Sequence, residues 1–388
     1  MKRLFGRIAN MFGNMMLHLV STNVIAIIVR NVNYGAILIC IEFTRNIYFI
    51  PLYIMKDARI QKLIDKTYNR VKNNNRGKVA DYIPQLAKAN PKIFGICFVD
   101  CQGNVYESGD SKKTIPIESI SKIFSLALAV DKWGISEVNK KIGNEGSSLP
   151  FNSVVACALS KSHTINPFVN QGAIATTSLM YSKNKSVFRN EILNNMDKYA
   201  GKHLPTDIKV YKSEKETNFT NMALAYLLKS YNRFYGDVED SVDVYTEQCS
   251  KLVSARDLAI MACVFAKGGV HPHSKKRILS KKAANYVYRS IRGEGLYEYS
   301  GRWDTDVGCV SAKSGVGGGI FIILKGIGGL GIVSPLLDKV GNSVRGIQAG
   351  AIIVKTIMKI TDVHPRFCAR KTIKNLKKTF RHTKKNKV

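Results

Sequence analysis

The sequence is short of acid. Asp and Glu together number 28 against 59 Lys and Arg, a formal net charge of +31. Such a field attracts nucleic acid and anionic lipid alike, and it says nothing about fold. The excess is not gathered in one patch. Residues 365 to 388 hold ten Lys or Arg and no acid, residues 1 to 54 hold five bases and one acid, and the rest is spread along the middle. A specific nucleic-acid reader concentrates its charge and interleaves it with aromatics. A coding bias toward Lys and Asn accounts for this spread more simply. Other absences narrow the field further. None of the eight cysteines forms a Cys-x-x-Cys pair, and no Cys/His cluster has zinc spacing, so the expected metal content is none. Cys157, Cys263 and Cys309 sit in apolar contexts and read as reduced core thiols, which points to a reducing, cytoplasmic compartment. No segment repeats. No apolar run reads as a spanning helix. Ile8 to Val29 is uncharged, but Asn10, Asn14, His18, Ser21, Thr22 and Asn23 interrupt it, and Tyr34 to Ile41 is too short. No small-residue cleavage site follows an apolar core, which argues against a signal peptide.

What is present is an ordinary globular balance, 45% hydrophobic over 388 residues, enough for one large two-lobed domain. Met55 opens MKDARIQKLIDKTYNRV, an amphipathic helical pattern with Ile60, Leu63 and Ile64 on one side. Met55 also reads as an alternative start. Residues 1 to 54 are then an extension that is untranslated, disordered or membrane-associated. The main domain is expected over 55 to 364, with a disordered basic tail over 365 to 388. Within the domain, ADYIPQLAKANP reads as a short helix, and FGICFVD with CQGNVYESGD as a hairpin turning at Gln102 to Asn104. Residues 177 to 230 read as helical around a polar loop near Asn195 to Asp207. ARDLAIMACVFAKGG is a helix ending at Gly268-Gly269. SGVGGGIFIILKGIGGLGIVSP reads as two strands around a Gly-rich turn, and GIQAGAIIVKTIMKI as a last helix. Strands open and close the domain while helices fill its middle. That order predicts an α+β fold, an antiparallel sheet built from both chain ends, flanked by helices, with an inserted helical lobe.

The stretch TIPIESISKIFSLALAV places Ser119 and Lys122 three positions apart at the head of an apolar helix, on one face. A helix start stabilises a serine alkoxide and an oxyanion. A lysine one turn on can take the serine proton if burial lowers its pKa. The plain alternative is that Ser119 is an ordinary helix cap. Ser-x-x-Lys also occurs at Ser182 and Lys185, where nothing around it suggests a site. A second element favours chemistry: Lys313-Ser314-Gly315 opens a predicted strand. A Ser-x-x-Lys helix with a Lys-[Ser/Thr]-Gly strand is the two-part signature of the serine β-lactamase and penicillin-binding fold. There the strand edge supplies a backbone N–H to the oxyanion and a cation beside the nucleophile.

GKVADYIPQL, SISK, NP-x-x-N-x-GAIA, SE-x-x-TN-x-x-N-x-ALA, Y-x-x-QCS, GGVHP, KSGVGGGI and SP-x-LD-x-x-GNS follow one another along the chain. Together they resemble the bacterial serine-dependent glutaminases from about Ile60 to Ile360. The resemblance implies a serine β-lactamase-like fold and hydrolysis of L-glutamine to L-glutamate and ammonia, without a cofactor. It puts the nucleophile on Ser119, its base on Lys122, and substrate contacts on Asn170, Glu214, Asn221, Tyr245, Tyr297 and the backbone of Val316. Tyr82, as pocket wall or lid, and Lys313 are added. It implies a homo-oligomer, a dimer or tetramer, and the basic tail suggests polyanion or anionic-membrane contact. The assignments suit an amino-acid amide: a carboxylate such as Glu214 matches the α-ammonium, and Asn amides hold either end without adding charge.

The sequence departs from the family pattern in places. Glu118 stands where the family commonly has Gln, and a charge beside Ser119 would oppose an oxyanion. Gln171 replaces an alanine, and Val310-Ser311-Ala312 replaces a Leu-Pro pair before Lys313. Two other readings compete. One is an acyl-enzyme hydrolase acting on another amide, which a carboxylate placed for an α-ammonium disfavours. The other is a polyanion- or membrane-associated protein with an eroded site, which retention on anionic lipid without ammonia release would favour.

Overall fold

The structure is a computed structural model that describes residues 57 to 147 and 149 to 361, together with four strands between residues 16 and 52. The chain divides into two units, Met1–Lys62 and Leu63–Val388. In the first, β1 (Met16–Ser21), β2 (Val24–Asn31), β3 (Ala36–Phe43) and β4 (Asn46–Leu52) pair antiparallel in chain order. The sequence reading named no strands here, although the Ile- and Val-rich runs VIAIIVRN and AILICIEF have strand composition. The tail at 365 to 388, and the boundaries at 55 and 364, lie outside the described residues.

Helix α1 (Ala58–Val71) precedes the domain sheet, and its Tyr68 stacks on Phe94 with ring centroids 5.2 Å apart. The sheet comprises β5 (Gly95–Asp100), β6 (Val105–Gly109), β9 (Ser311–Gly315), β10 (Gly319–Leu324) and β11 (Gly328–Val333), in the order β6-β5-β11-β10-β9, every pair antiparallel. It is built from both ends of the domain, as expected. The β5–β6 hairpin also turns where expected: the Asp100 carboxylate accepts the backbone N–H groups of Gln102, Gly103 and Asn104.

Every residue of β5, β10 and β11 is buried, so both sheet faces are covered. On one face lies α9 (Ala255–Ala266), started by a capping box between Ser254 and Asp257 and buried almost all round. It approaches closely because β11 presents glycines. A Cβ on Gly331 would lie 2.1 Å from the Ala255 carbonyl oxygen, and one on Gly329 2.2 Å from that of Ala259. On the other face lies α12 (Val344–Ile360), where the side chains of Ile322 and Ile332 meet Gly350. At its head the buried Arg345 guanidinium donates to Ser334 Oγ at 2.7 Å and to backbone carbonyls of Lys72, Pro91 and Ile93.

Between the two sheet halves the chain runs through β7 (Thr114–Pro116), α2 (Lys122–Lys141), α3 (Val154–Leu159), α4 (Asn170–Ser178), α5 (Lys185–Ala200), α6 (Ile208–Thr217), α7 (Phe219–Ser230), α8 (Val238–Cys249) and β8 (Leu252–Ser254). Helices α10 (Lys281–Glu294) and α11 (Ser300–Val307) lead back to β9. This is the expected helical lobe, and the fold is α+β and β-lactamase-like.

Four expectations need correcting. ADYIPQLAKANP forms only a 3₁₀ turn, Leu86–Lys88, because Pro84 disfavours helix at the residue before it. The polar loop begins at Gly201, not Asn195. Helix α5 continues through buried Met196, Tyr199 and Ala200, Asn195 donates to Phe124 O at 3.0 Å, and Gly201 ends the helix at φ 71°. The Gly-rich segment makes three strands, not two, since Lys313-Ser314-Gly315 belongs to a short strand of its own. Cys309 is also only half-buried, unlike Cys157 and Cys263.

Candidate active site

Strand β7 pairs with β8 and delivers the chain to a 3₁₀ turn, Glu118–Ser121, which runs straight into α2. Ser119 therefore precedes the α-helix and is not its cap; the N-cap is Ser121, whose side chain makes no capping bond. In 3₁₀ geometry residues i and i+3 eclipse, so the turn aligns Ser119 with Lys122. Glu118 takes φ 51°, a left-handed conformation uncommon for a residue with a Cβ. The other Ser-x-x-Lys pair is ordinary. Asn184 caps α5, and Lys185 makes an exposed ion pair with Asp240.

Lys122 is 1% exposed. Its Nζ donates to Phe168 O at 3.1 Å and to Asn170 Oδ1 at 2.7 Å, and Asn170 Nδ2 donates on to Asn221 Oδ1 at 2.9 Å. Burial pushes the Lys122 ammonium down to about 8, with the Cys249 thiol and Glu118 pulling the other way. Asn170 is the first residue of α4, and its N–H donates to Phe151 O at 2.8 Å. Phe151 packs against Tyr297, ring centroids 5.0 Å apart.

These groups frame a pocket of about 140 Å³. Ser119, Asn170, Glu214, Asn221, Tyr245, Val316 and Tyr82 line it. Helix α6, capped by Asp207, supplies Glu214, and burial pushes that carboxyl up to about 7. Helix α7 supplies Asn221 from its first turn, and α8 supplies Tyr245, whose buried hydroxyl is held well above the ordinary phenol value. Tyr82 stands at the rim, 58% exposed, and Val316 sits in the turn after β9. Three predicted residues lie behind the lining. Lys122 reaches it through Asn170. Tyr297, at φ 54°, turns its hydroxyl toward those of Ser119 and Ser314; burial pushes it up to about 12, and those two hydroxyls offset part of that. The Tyr297 hydroxyl closes no hydrogen bond among the described residues. Lys313 is fully buried, with Nζ 2.8 Å from Ser314 O and 4.6 Å from the Tyr297 ring centre. Burial and nearby Lys122 hold it well below the usual lysine range.

Sequence reasoning did not single out Phe151, Asn152, Asn218 or Cys249, which also line the pocket. Asn218 and Cys249 stood inside quoted motifs; Phe151 and Asn152 stood in none. Among the described residues no group of His, Cys, Asp and Glu could hold a metal, and no helix is long and apolar enough to cross a membrane.

Ser119 and Glu214 thus share one pocket, and a buried lysine with a lowered pKa lies one 3₁₀ turn beyond Ser119. Comparison with known proteins shows the family. The family model described as Glutaminase matches residues 77 to 364. The chain belongs to the glutaminase family. It is 45% identical over 290 residues to the glutaminase of Colwellia psychrerythraea, covering 75% of this chain and 93% of that one. Glutaminase 1 of Escherichia coli is 41% identical, covering 78% and 98%. Among solved structures, a probable glutaminase, ybaS, superposes with TM-score 0.76 at 40% identity, over 78% of this chain and 98% of that one. The Bacillus subtilis glutaminase YbgJ, in covalent complex with 5-oxo-L-norleucine, superposes with TM-score 0.66 at 28% identity, over 78% and 96%.

Proposed function

We propose that this glutaminase hydrolyses the side-chain amide of L-glutamine through an acyl-enzyme on Ser119, with Lys122 as the base. One observation carries the reading. Ser119 and Glu214 line one pocket, and Lys122, a 3₁₀ turn beyond Ser119, is buried with its ammonium pushed down to about 8. Neutral Lys122 takes the Ser119 proton as Oγ attacks the amide carbon. The backbone N–H groups of Ser119 and Val316 are the proposed donors to the oxyanion. Protonated Lys122 then gives its proton to the departing ammonia. Water repeats the cycle on the glutamyl ester and releases L-glutamate. Glu214 receives the α-ammonium. Asn221, bonded through Asn170 to Lys122, ties substrate contact to the base. Tyr297, between the Ser119 and Ser314 hydroxyls, is placed to pass a proton, and Tyr245 and Tyr82 close the pocket wall.

The reagent 6-diazo-5-oxo-L-norleucine, which forms the covalent complex of the Bacillus subtilis relative, tests the nucleophile. It should add one 5-oxo-L-norleucine group, located on the peptide carrying Ser119. Modification elsewhere, or equal modification of Ser119→Ala, would overturn the assignment.

The catalytic unit is taken as residues 55 to 364. Assembly into a dimer or tetramer is part of the reading, which light scattering tests directly. The net charge of +31 supports polyanion contact through the tail, and buried reduced thiols support a cytoplasmic setting.

A further inference from the structure

Two carboxyls, Glu118 and Glu214, line the pocket. Glu118 is 4% exposed, and its side chain is wedged against the glycine-bearing turn after β9. A Cβ on Gly315 would lie 3.2 Å from Glu118 Cβ, and one on Gly317 3.4 Å from Glu118 Cγ. Its backbone is left-handed, and it lines the same pocket as Glu214. Glu118 Oε1 and Glu214 Oε1 are both shut off from water, and neither has a donor among the described residues. Among the described residues neither makes an ion pair: Lys122 Nζ bonds Phe168 O and Asn170, and Lys313 Nζ bonds Ser314 O. Two carboxylates cannot both ionise side by side in such a place.

We propose that Glu118 is a protonated carboxylic acid at working pH, donating a hydrogen bond to Glu214 so that the pair carries one proton and one charge. Glu118 is thus a positioning residue. It orients the single carboxylate toward the substrate's α-ammonium while placing no charge beside the Ser119 oxyanion. The proposal deepens the glutaminase reading and rests on it for the identity of the ammonium.

The surroundings agree. Burial raises Glu118 first, then Glu214 of α6, with Asp207 at the α6 cap adding to it; only Lys122 of α2 opposes. The remaining titratable neighbours are the Cys249 thiol and Tyr245 of α8, Tyr297 of the 3₁₀ turn after α10, and Tyr82 at the rim; all are neutral groups held above their usual range. The hydrogen bond from Glu118 in turn holds Glu214 down, against the burial that raises it. One buried carboxylic acid kept neutral so that it can donate is a known device of active sites.

The test has two arms. In the first, infrared difference spectra of substrate-free wild type and Glu118→Gln near neutral pH are compared. The carbonyl stretch of a protonated carboxylic acid should be present in wild type and absent from the variant. If no such band is lost, the proposal is wrong, whatever the substrate proves to be. In the second, KM for L-glutamine is followed as pH falls. Glu118→Leu removes the donor and should raise KM roughly ten- to a hundredfold, moving its acid limb up by about one to two pH units. Glu118→Gln still donates and should restore both. If both variants move the limb to lower pH, Glu118 is ionised in the wild type and the proposal fails. If Glu118→Leu does not fold, the infrared arm and Glu118→Gln still decide it.

Discussion

Burial pushes the Lys122 ammonium down to about 8, which sets when it can serve as the proposed base. The base must be neutral to accept a proton, so kcat should rise about tenfold per pH unit below 8 and level off above it. A kcat profile inflecting near the ordinary lysine value would contradict this. Glu214, at about 7, makes a separate prediction. In the proposed pose the substrate amide reaches Ser119 while its α-ammonium reaches Glu214, a span that L-asparagine falls one methylene short of. Glu214→Gln should lower kcat/KM for L-glutamine about ten- to a hundredfold, from a lost charge-assisted bond of roughly 1.5–3 kcal/mol. An analogue lacking the amino group should lose much less. Equal fractional losses would leave Glu214 a structural role only. At this scale Ser119 and Lys122 were legible from their spacing and chemistry, and Asn170, Asn221 and Tyr245 only through the resemblance. The Glu118–Glu214 pairing was not legible. The two residues are far apart in sequence, and the expectation of a charged Glu118 beside Ser119 did not consider a second carboxyl; the proposed pairing would leave Glu118 neutral.

Among elements, the close contact of α9 with β11 constrains the fold that carries the site. Gly331→Ala would press a methyl against the Ala255 carbonyl oxygen and the Ala259 N–H, both backbone atoms that cannot rotate away. Overpacking of this kind costs roughly 1–3 kcal/mol, and the upper end is expected here. Denaturant midpoints of wild type and variant measure it; an unchanged midpoint would mean the helix floats on the sheet. The apolar runs of β5, β10 and α9 were readable because composition and length agree with their type. That Lys313-Ser314-Gly315 ends a separate strand, Ser311–Gly315, and does not open the next one was hidden because this strand buries a lysine and two serines, the opposite of strand patterning. The last turns of α5 were hidden because Asn195 and Asp197 look like loop residues, while the buried positions around them keep helical spacing.

For the whole molecule, the chain order of strands and helices was enough to give the architecture, since few topologies close a sheet from both ends around a helical middle. The termini were not legible in that way, because nothing in residues 1 to 54 matches the motifs that identify the rest. A protein spanning Met55 to His364 should fold with the wild-type denaturant midpoint and keep full kcat/KM for L-glutamine. Aggregation of that fragment under conditions where the full chain stays in solution would show that the extension packs on the catalytic unit. The central claim is that Ser119 and Lys122 perform one proton-coupled attack on the side-chain amide of L-glutamine. It is tested most directly by ammonia release from L-glutamine, measured side by side for wild type, Ser119→Ala and Lys122→Ala. The account predicts release by the wild type and a loss on the order of a thousandfold or more in each variant, the two losses not adding in the double variant. Near-normal ammonia release by Ser119→Ala would contradict it.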